Sequence, residues 1–441
     1  MTETIQEENK GMFWFIRGNI RTLIICRVLW SLSTSIVYPF FSFYIIALGG
    51  TSKEIGFINS AGILAGMVLY PIGGFLADKA GRVKLIGYST VLYALAHIPF
   101  VIARTWQTLA MGQILAQLLL FYTPAMNALS SDSLPPGVRG RGFAIMMAVP
   151  QAIRIIAPSF GGWLIGYYQS NSGLSEDLAL IRAVKLAWSI AFVTGLFVAY
   201  LRLRYLDETI EESESESYSW RDTLTVSKES YLSIIDSVKW MDRSLKTIVL
   251  IEMIAAFFVA LSAPFWSVYA REIVGVSYAQ WGNVNFYSGI VALTFALPLG
   301  GAVDKWGAKK AVLAGMLTGP VIVYMFQYAT GFWTVTALIT LLSLCNKIMI
   351  PGFSTLIANM IPRERRGRLY SLLGERGVQI SWGNFWGGGF LIFPAAAAGA
   401  WVGGQIYAYS PTLVWQITSV ALFSAALMVY FFVHEPEKAQ E

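Results

Sequence analysis

The sequence predicts an all-α membrane protein: twelve transmembrane helices in two six-helix bundles, the second repeating the first. Three observations predict it. Of 441 residues 56% are hydrophobic and only 13% charged, with a mean hydropathy of +0.57, whereas soluble domains carry roughly 25% charged residues. Apolar stretches of about 20 residues recur along the chain, each long enough to cross about 30 Å of hydrocarbon. Finally, the chain repeats its motifs at an offset of about 226 residues. Gly74-Phe-Leu-Ala-Asp78-Lys79-Ala-Gly81-Arg82 returns as Gly300-Gly-Ala-Val-Asp304-Lys305-Trp-Gly307-Ala. Pro39-Phe-Phe-Ser-Phe-Tyr44 returns as Pro264-Phe-Trp-Ser-Val-Tyr269, Pro124 as Pro351, and the Arg139-Gly140-Arg141 loop as Arg366-Gly367-Arg368.

The apolar segments run over 20–48, 55–77, 84–103, 107–130, 143–168 and 181–202, then 247–270, 279–302, 310–330, 333–360, 369–395 and 409–433. All are expected to be helices, because an open strand leaves its backbone unsatisfied in lipid. Basic residues follow the even-numbered segments: Lys79, Arg82 and Lys84; Arg139 and Arg141; Arg202 and Arg204; Lys305, Lys309 and Lys310; Arg363, Arg365, Arg366 and Arg368. The opposite loops hold far fewer. The positive-inside rule then puts both termini in the cytoplasm of a multi-pass protein of the cell membrane. The net charge of +6 is thus topological, and argues against a nucleic-acid partner.

The polar start, Met1 to Lys10, carries no cleavable signal pattern, so segment 1 is expected to direct insertion. Two cysteines, Cys26 and Cys345, and two histidines, His97 and His434, are too few for a disulfide framework or a metal site. No cofactor is expected.

The halves are expected over 1–202 and 247–441, joined by a cytoplasmic linker at 203–246. Glu208, Glu211, Glu212, Glu214 and Glu216 lie in the linker, followed by an apolar pattern from Leu232 to Leu245 that suggests an interfacial helix. Symmetry fails after segment 11. There Gly387-Gly-Gly389, Pro394, four alanines and Gly403-Gly404 precede segment 12, either lengthening a helix or forming an external hairpin. A duplicated hydrophobic unit is how secondary transporters place a substrate site between two halves.

The paired Gly-x-x-x-Asp-Lys-x-Gly loops, with the helix count and basic loops, resemble the major facilitator superfamily over essentially the whole chain. The resemblance implies a central cavity lined mainly by helices 1, 4, 7 and 10, pseudo-two-fold symmetry, and alternating access. It also implies gating by Gly74, Asp78, Gly81, Arg82, Gly300, Asp304 and Gly307. Asp78 would meet the start of helix 11, and Asp304 the start of helix 5 near Arg139 and Arg141, where a helix dipole favours an anion. Ala157-Pro158-Ser-Phe-Gly161-Gly162 in segment 5 is similar to the Gly-Pro-x-x-Gly-Gly element of the family's proton-coupled drug exporters, with alanine for the first glycine. Gln113 stands where such exporters usually carry an arginine, and it cannot act as a cation.

Charges inside the membrane are costly and are candidates for function. Arg154 lies about 12 residues into segment 5 and Lys347 about 14 into segment 10, near the midplane at about 1.5 Å per residue. They either bind an anionic substrate or pair with buried acids. Glu252 and Arg27 sit at matching depths in segments 7 and 1, with Glu375 and Arg376 at similar depth in segment 11. These form a structural ion-pair network or, if Glu252 has no fixed cation, a proton-exchange site. Tyr38 and other aromatics on the cavity helices either line a cleft for amphiphiles or pack in the core. His97 is expected to be a packed polar side chain.

No Gly-x-x-x-x-Gly-Lys-Ser/Thr loop and no catalytic constellation is present. The expectation is a monomeric secondary transporter of small molecules, not an enzyme, coupled to protons and directed to efflux. Alternatives are an organic-anion carrier and a transport-silent sensor on the same fold.

Overall fold

The structure, a computed structural model, describes residues 13–79, 81–135, 138–209, 236, 239–241, 243–361, 372, 377–382 and 389–434, excepting the side chains of 69–79. Every regular element among the described residues is helical. We number the spans α1 (Gly18–Ala47), α2 (Ser52–Lys79), α3 (Arg82–Ile102), α4 (Trp106–Asp132), α5 (Arg139–Ser172) and α6 (Glu176–Tyr205). The second half follows as α7 (Arg243–Glu272), α8 (Tyr278–Thr294 with Ala296–Trp306), α9 (Ala308–Tyr328), α10 (Phe332–Met360), α11 (Phe393–Tyr409) and α12 (Pro411–Phe432). Nine of these are long and apolar enough to cross a membrane singly, and α8 is so as a pair bent by 50°. Relative to the expected halves, α6 runs past 202 to Tyr205 and α7 starts before 247, at Arg243. Most of the linker lies outside the described residues, as does about half of the stretch expected as an interfacial helix.

The repeat in sequence is a repeat of contacts. Pro39 interrupts α1 with a 3-10 turn at Tyr38–Phe40, and Pro264 interrupts α7 at the equivalent point, since proline lacks the N–H that continues a helix. Just beyond each break a tyrosine hydroxyl donates to a carbonyl of the third helix of its half. Tyr44 reaches Phe100 O at 3.0 Å, and Tyr269 reaches Gln327 O at 2.9 Å.

Segment 11 is where the structure departs from the sequence expectation. The described helix is Phe393–Tyr409, the stretch that sequence left open, and Gly377–Trp382 within the expected segment has no helical structure. Asn346, in the middle of α10, takes the place of the missing helical ladder. Its amide donates to Ile380 O at 2.6 Å and accepts from Ile380 N–H at 3.0 Å. The Trp382 indole donates to Asn285 Oδ1 on α8 at 3.2 Å. Leu391 N–H donates to Leu372 O, so the chain doubles back before α11 begins. Irregular backbone persists at membrane depth only where protein groups satisfy it.

Two faces can be distinguished: a terminal face, where α1 starts and α12 ends, and a far face carrying the α1–α2, α5–α6, α7–α8 and α11–α12 connections. Two seams of small residues join the halves from the far face to the middle. In the α2–α11 seam, a methyl group on Gly56 would lie 2.7 Å from Ala400 O, and one on Gly404 2.7 Å from Ser52 O. In the α5–α8 seam, one on Gly162 would lie 2.9 Å from Ala279 O, and one on Gly282 2.5 Å from Pro158 O. Small residues bring membrane helices close enough for dispersion to hold them. Past Thr294 the second piece of α8 bends away and packs on α9 and α10.

Within the second half α11 also lies against α7, where a methyl group on Gly403 would lie 2.2 Å from Leu261 O. We expect Gly403→Val to destabilise the protein by about 1–3 kcal/mol, as overpacking does. A tryptophan-fluorescence melt in detergent should show a lower midpoint, and an unchanged midpoint would contradict this packing.

Candidate substrate and coupling site

Three arginines gather in the interior of the first half. Arg27 on α1 lies within the electrostatic reach of both Arg154 on α5 and Arg202 on α6. Arg154, exposed near the middle of α5, places Nε 3.4 Å from Ser31 Oγ, one turn along α1 from Arg27. Arg202 is 3% exposed. It donates to Thr90 Oγ1 at 2.6 Å, faces Met126 Sδ at 3.3 Å, and sits 5.5 Å over the Tyr122 ring. These partners of Arg202 are neutral, and Arg27 Nε is buried with no hydrogen-bond partner. Away from their terminal turns, the helices α1 to α6 contain no Asp or Glu.

Sequence reasoning missed Arg202, reading it as a topogenic charge after segment 6. Its position inside the last turn of α6, ahead of Arg204 and Tyr205, was the available signal.

Across in the second half, Glu252 on α7 is 3% exposed, and neither carboxyl oxygen has a hydrogen-bond partner. Glu252 and Arg27 therefore share a depth but form no ion pair. Lys347 is half-buried in the middle of α10, next to Asn346. Glu375 and Arg376 lie outside the described residues.

Tyr38 lies beside Tyr93 and meets the Trp188 ring edge-on at 5.7 Å. His97 is fully buried, with Nδ1 2.8 Å from Tyr93 O and its ring among Trp30, Tyr93, Phe100 and Trp188. Of the other cavity-helix aromatics, Tyr44, Trp266 and Tyr269 are buried within their own halves, not lining a cleft. Gln113 is 4% exposed and packs against Gly62 of α2.

The loop motif has local and long-range parts. Gly81 and Gly307 share the same backbone, φ 81° with ψ 131° and φ 86° with ψ 153°, a region open in practice only to glycine. Arg82 pairs with Asp132 at the end of α4 and donates to Thr209 Oγ1 at 3.0 Å, so this loop is tied to its own half. Asp304 is exposed and makes no contact with Arg139 or Arg141 among the described residues. A methyl group at Gly300 or Gly301 would meet nothing within 4 Å, so the close approach expected of them is not used in this structure. The side chain of Asp78, and Gly74, are outside the description. We expect Gly307→Ala to cost about 1–3 kcal/mol from backbone strain alone, read as a lower thermal midpoint with its neighbours unaltered.

Pro158, Gly161 and Gly162 do pack closely. Gly161 faces α1, where a methyl group would lie 2.4 Å from Ile36 O, and Gly162 with Pro158 forms the seam to α8. Toward the far face polar contacts reinforce this closure. Arg271 pairs with Glu176, the Tyr278 hydroxyl donates to Asp177 at 3.1 Å, Ser42 donates to Pro264 O at 2.9 Å, and the Trp281 indole donates to Pro39 O at 3.0 Å.

This architecture is shared. A D-xylose–proton symporter of known structure superposes with a TM-score of 0.63 at 14% identity, covering 96% of this chain and 99% of that one. The quinolone resistance protein NorA of Staphylococcus aureus is 20% identical over 358 residues, 81% of this chain and 84% of NorA. Multidrug resistance protein 2 of Bacillus subtilis is 23% identical over 393 residues, 88% of this chain and 89% of that protein. The family model of the Major Facilitator Superfamily matches residues 23–242 and 248–441, and with two equivalent sets of six helices closing on each other, the chain belongs to that superfamily of membrane transporters.

Proposed function

We propose that this protein exports small amphipathic organic compounds by alternating access in exchange for protons, with Glu252 carrying the proton. The observation behind the coupling role is the Glu252 carboxyl, buried in a cavity helix with no partner for either oxygen. A charge shut away in that manner loses its hydration and gains nothing back. Its charge state therefore depends on whether water reaches it, which is what alternating access changes. The names of the two relatives, for resistance to quinolones and to multiple drugs, favour export.

In this reading the units 1–202 and 247–441 rock about the central site with 203–246 as tether, and the protein works as a monomer. The terminal face is cytoplasmic, as its basic loops favour. The joined far-face seams and the swung-out end of α8 then describe a cytoplasm-open state. On closing that side, Asp304 would approach the start of α5 and Asp78 that of helix 11.

Proteoliposomes with an imposed pH gradient and an entrapped pH dye test this. Adding an amphipathic compound should dissipate the gradient in proportion to its concentration. A gradient indifferent to every compound, cationic or anionic, would overturn proton coupling.

A further inference from the structure

We propose that the break in segment 11 is a moving part of the transport cycle. Asn346 is a positioning residue that holds 377–382 unwound while the terminal face is open, and releases it to rewind as that face closes. The inference rests on the alternating-access reading, and on neither the proton nor the substrate class. Asn346 acts as a stand-in for a backbone partner: its donor and its acceptor both go to Ile380, at 2.6 and 3.0 Å. Two turns along the same face of α10, Phe353 packs on Gly377, where a methyl group would lie 2.4 Å from Phe353 Cβ. Gly377 has φ 61°, a backbone that costs glycine little and strains other residues.

Helix is within reach of this stretch. By the repeat, 377–382 corresponds to 150–155, which is regular helix inside α5. Ser381 Oγ is buried with no hydrogen-bond partner. In a helix it would donate to the carbonyl one turn back, as Thr336, Thr340 and Ser343 of α10 do to Phe332, Thr336 and Ile339. Rewinding therefore exchanges the two bonds from Asn346 for a helical ladder and a satisfied serine. A difference of a few hydrogen bonds is small enough to be reversed within a cycle.

The link to the opposite half runs through Trp382. Its indole donates to Asn285 Oδ1 at 3.2 Å, and Asn285 stands on α8 between Gly282 and Gly289. Methyl groups on those glycines would lie 2.5 Å from Pro158 O and 2.9 Å from Ile155 Cγ1 of α5. Residues at this spacing share one helix face, so Asn285 lies on the face of α8 that closes on α5. Rocking of α5 against α8 moves the acceptor on which the unwound stretch hangs.

Cysteines replacing Leu372 and Leu391 report the break. The bond from Leu391 N–H to Leu372 O, at 3.0 Å, brings their backbones within disulfide reach. In one continuous helix they would stand about 28 Å apart. In a Cys345→Ser background with the buried Cys26 kept, mild oxidation should bridge the pair, and Asn346→Leu should slow bridging about tenfold. Spin labels at Lys84→Cys and Lys310→Cys, both exposed, read the terminal face in nanodiscs without substrate or gradient. The pH is set where the otherwise unsubstituted chain shows both a long and a short distance. Asn346→Leu and Gly377→Ala should each move the ratio about tenfold toward the short one. If Asn346→Leu does not fold, Gly377→Ala carries the test.

Distances unchanged in variants with wild-type melting curves would make Asn346 a fixed structural tie and overturn the proposal, whether or not bridging slows. So would a shift toward the long distance. A labelled chain that keeps one distance at every pH without either substitution would fail the alternating-access reading, and this inference with it.

Discussion

Glu252→Gln should abolish gradient-driven transport while leaving substrate exchange in place. Glutamine keeps the size of the side chain and removes its capacity to carry a proton, so both access states remain reachable. What is lost is the link between the proton gradient and the direction of movement. We expect concentrative uptake into inverted vesicles to fall about 100-fold, equivalent to about 2.7 kcal/mol, with counterflow exchange within about threefold of wild type. Measuring both modes in one preparation separates this from misfolding, which removes both. Concentrative uptake retained in Glu252→Gln would move the proton site elsewhere.

Closing the far face permanently should stop the cycle altogether. Arg271 and Glu176 pair across the halves there, both partly exposed. Cysteines at these two positions, in a Cys345→Ser background with the buried Cys26 kept, can be bridged by a bismaleimide that contains a reducible bond. Transport should drop about 100-fold on bridging, and reductant should restore it, since two rigid bodies linked across a hinge cannot separate. Full transport by the bridged protein would contradict a far-face gate.

The fold was legible because lipid leaves few choices. Apolar length announces helices, and the repeated Asp-Lys-x-Gly and Pro39/Pro264 motifs announce two equivalent halves. The Tyr44 and Tyr269 hydrogen bonds show how literally the repeat is executed. Segment 11 misled because hydropathy does not distinguish a continuous apolar helix from an apolar chain pinned by a polar side chain on another helix, here Asn346.

The candidate site was legible in part. Arg27, Arg154 and Glu252 stood out as charges in apolar runs, but which of them meet depends on how helices turn about their axes, and a single sequence leaves that open. The structure gathers Arg27 with Arg154 and leaves Glu252 apart. Arg202 was hidden by its nearness to a helix end, where a basic residue is ordinary. The seam glycines Gly56, Gly282 and Gly404 were hidden too, because glycine is common in membrane helices and only a partner backbone shows which ones are used.

Alternating access is most directly tested by two distances in one protein. Spin labels at Leu178→Cys and Ile273→Cys report the far face, where these side chains are 51% and 56% exposed. Labels at the exposed Lys84→Cys and Lys310→Cys report the terminal face. As pH is changed across a bilayer-reconstituted sample with and without substrate, the far-face distance should lengthen while the terminal-face distance shortens. Two distances that stay fixed, or that grow and shrink together, would contradict the account.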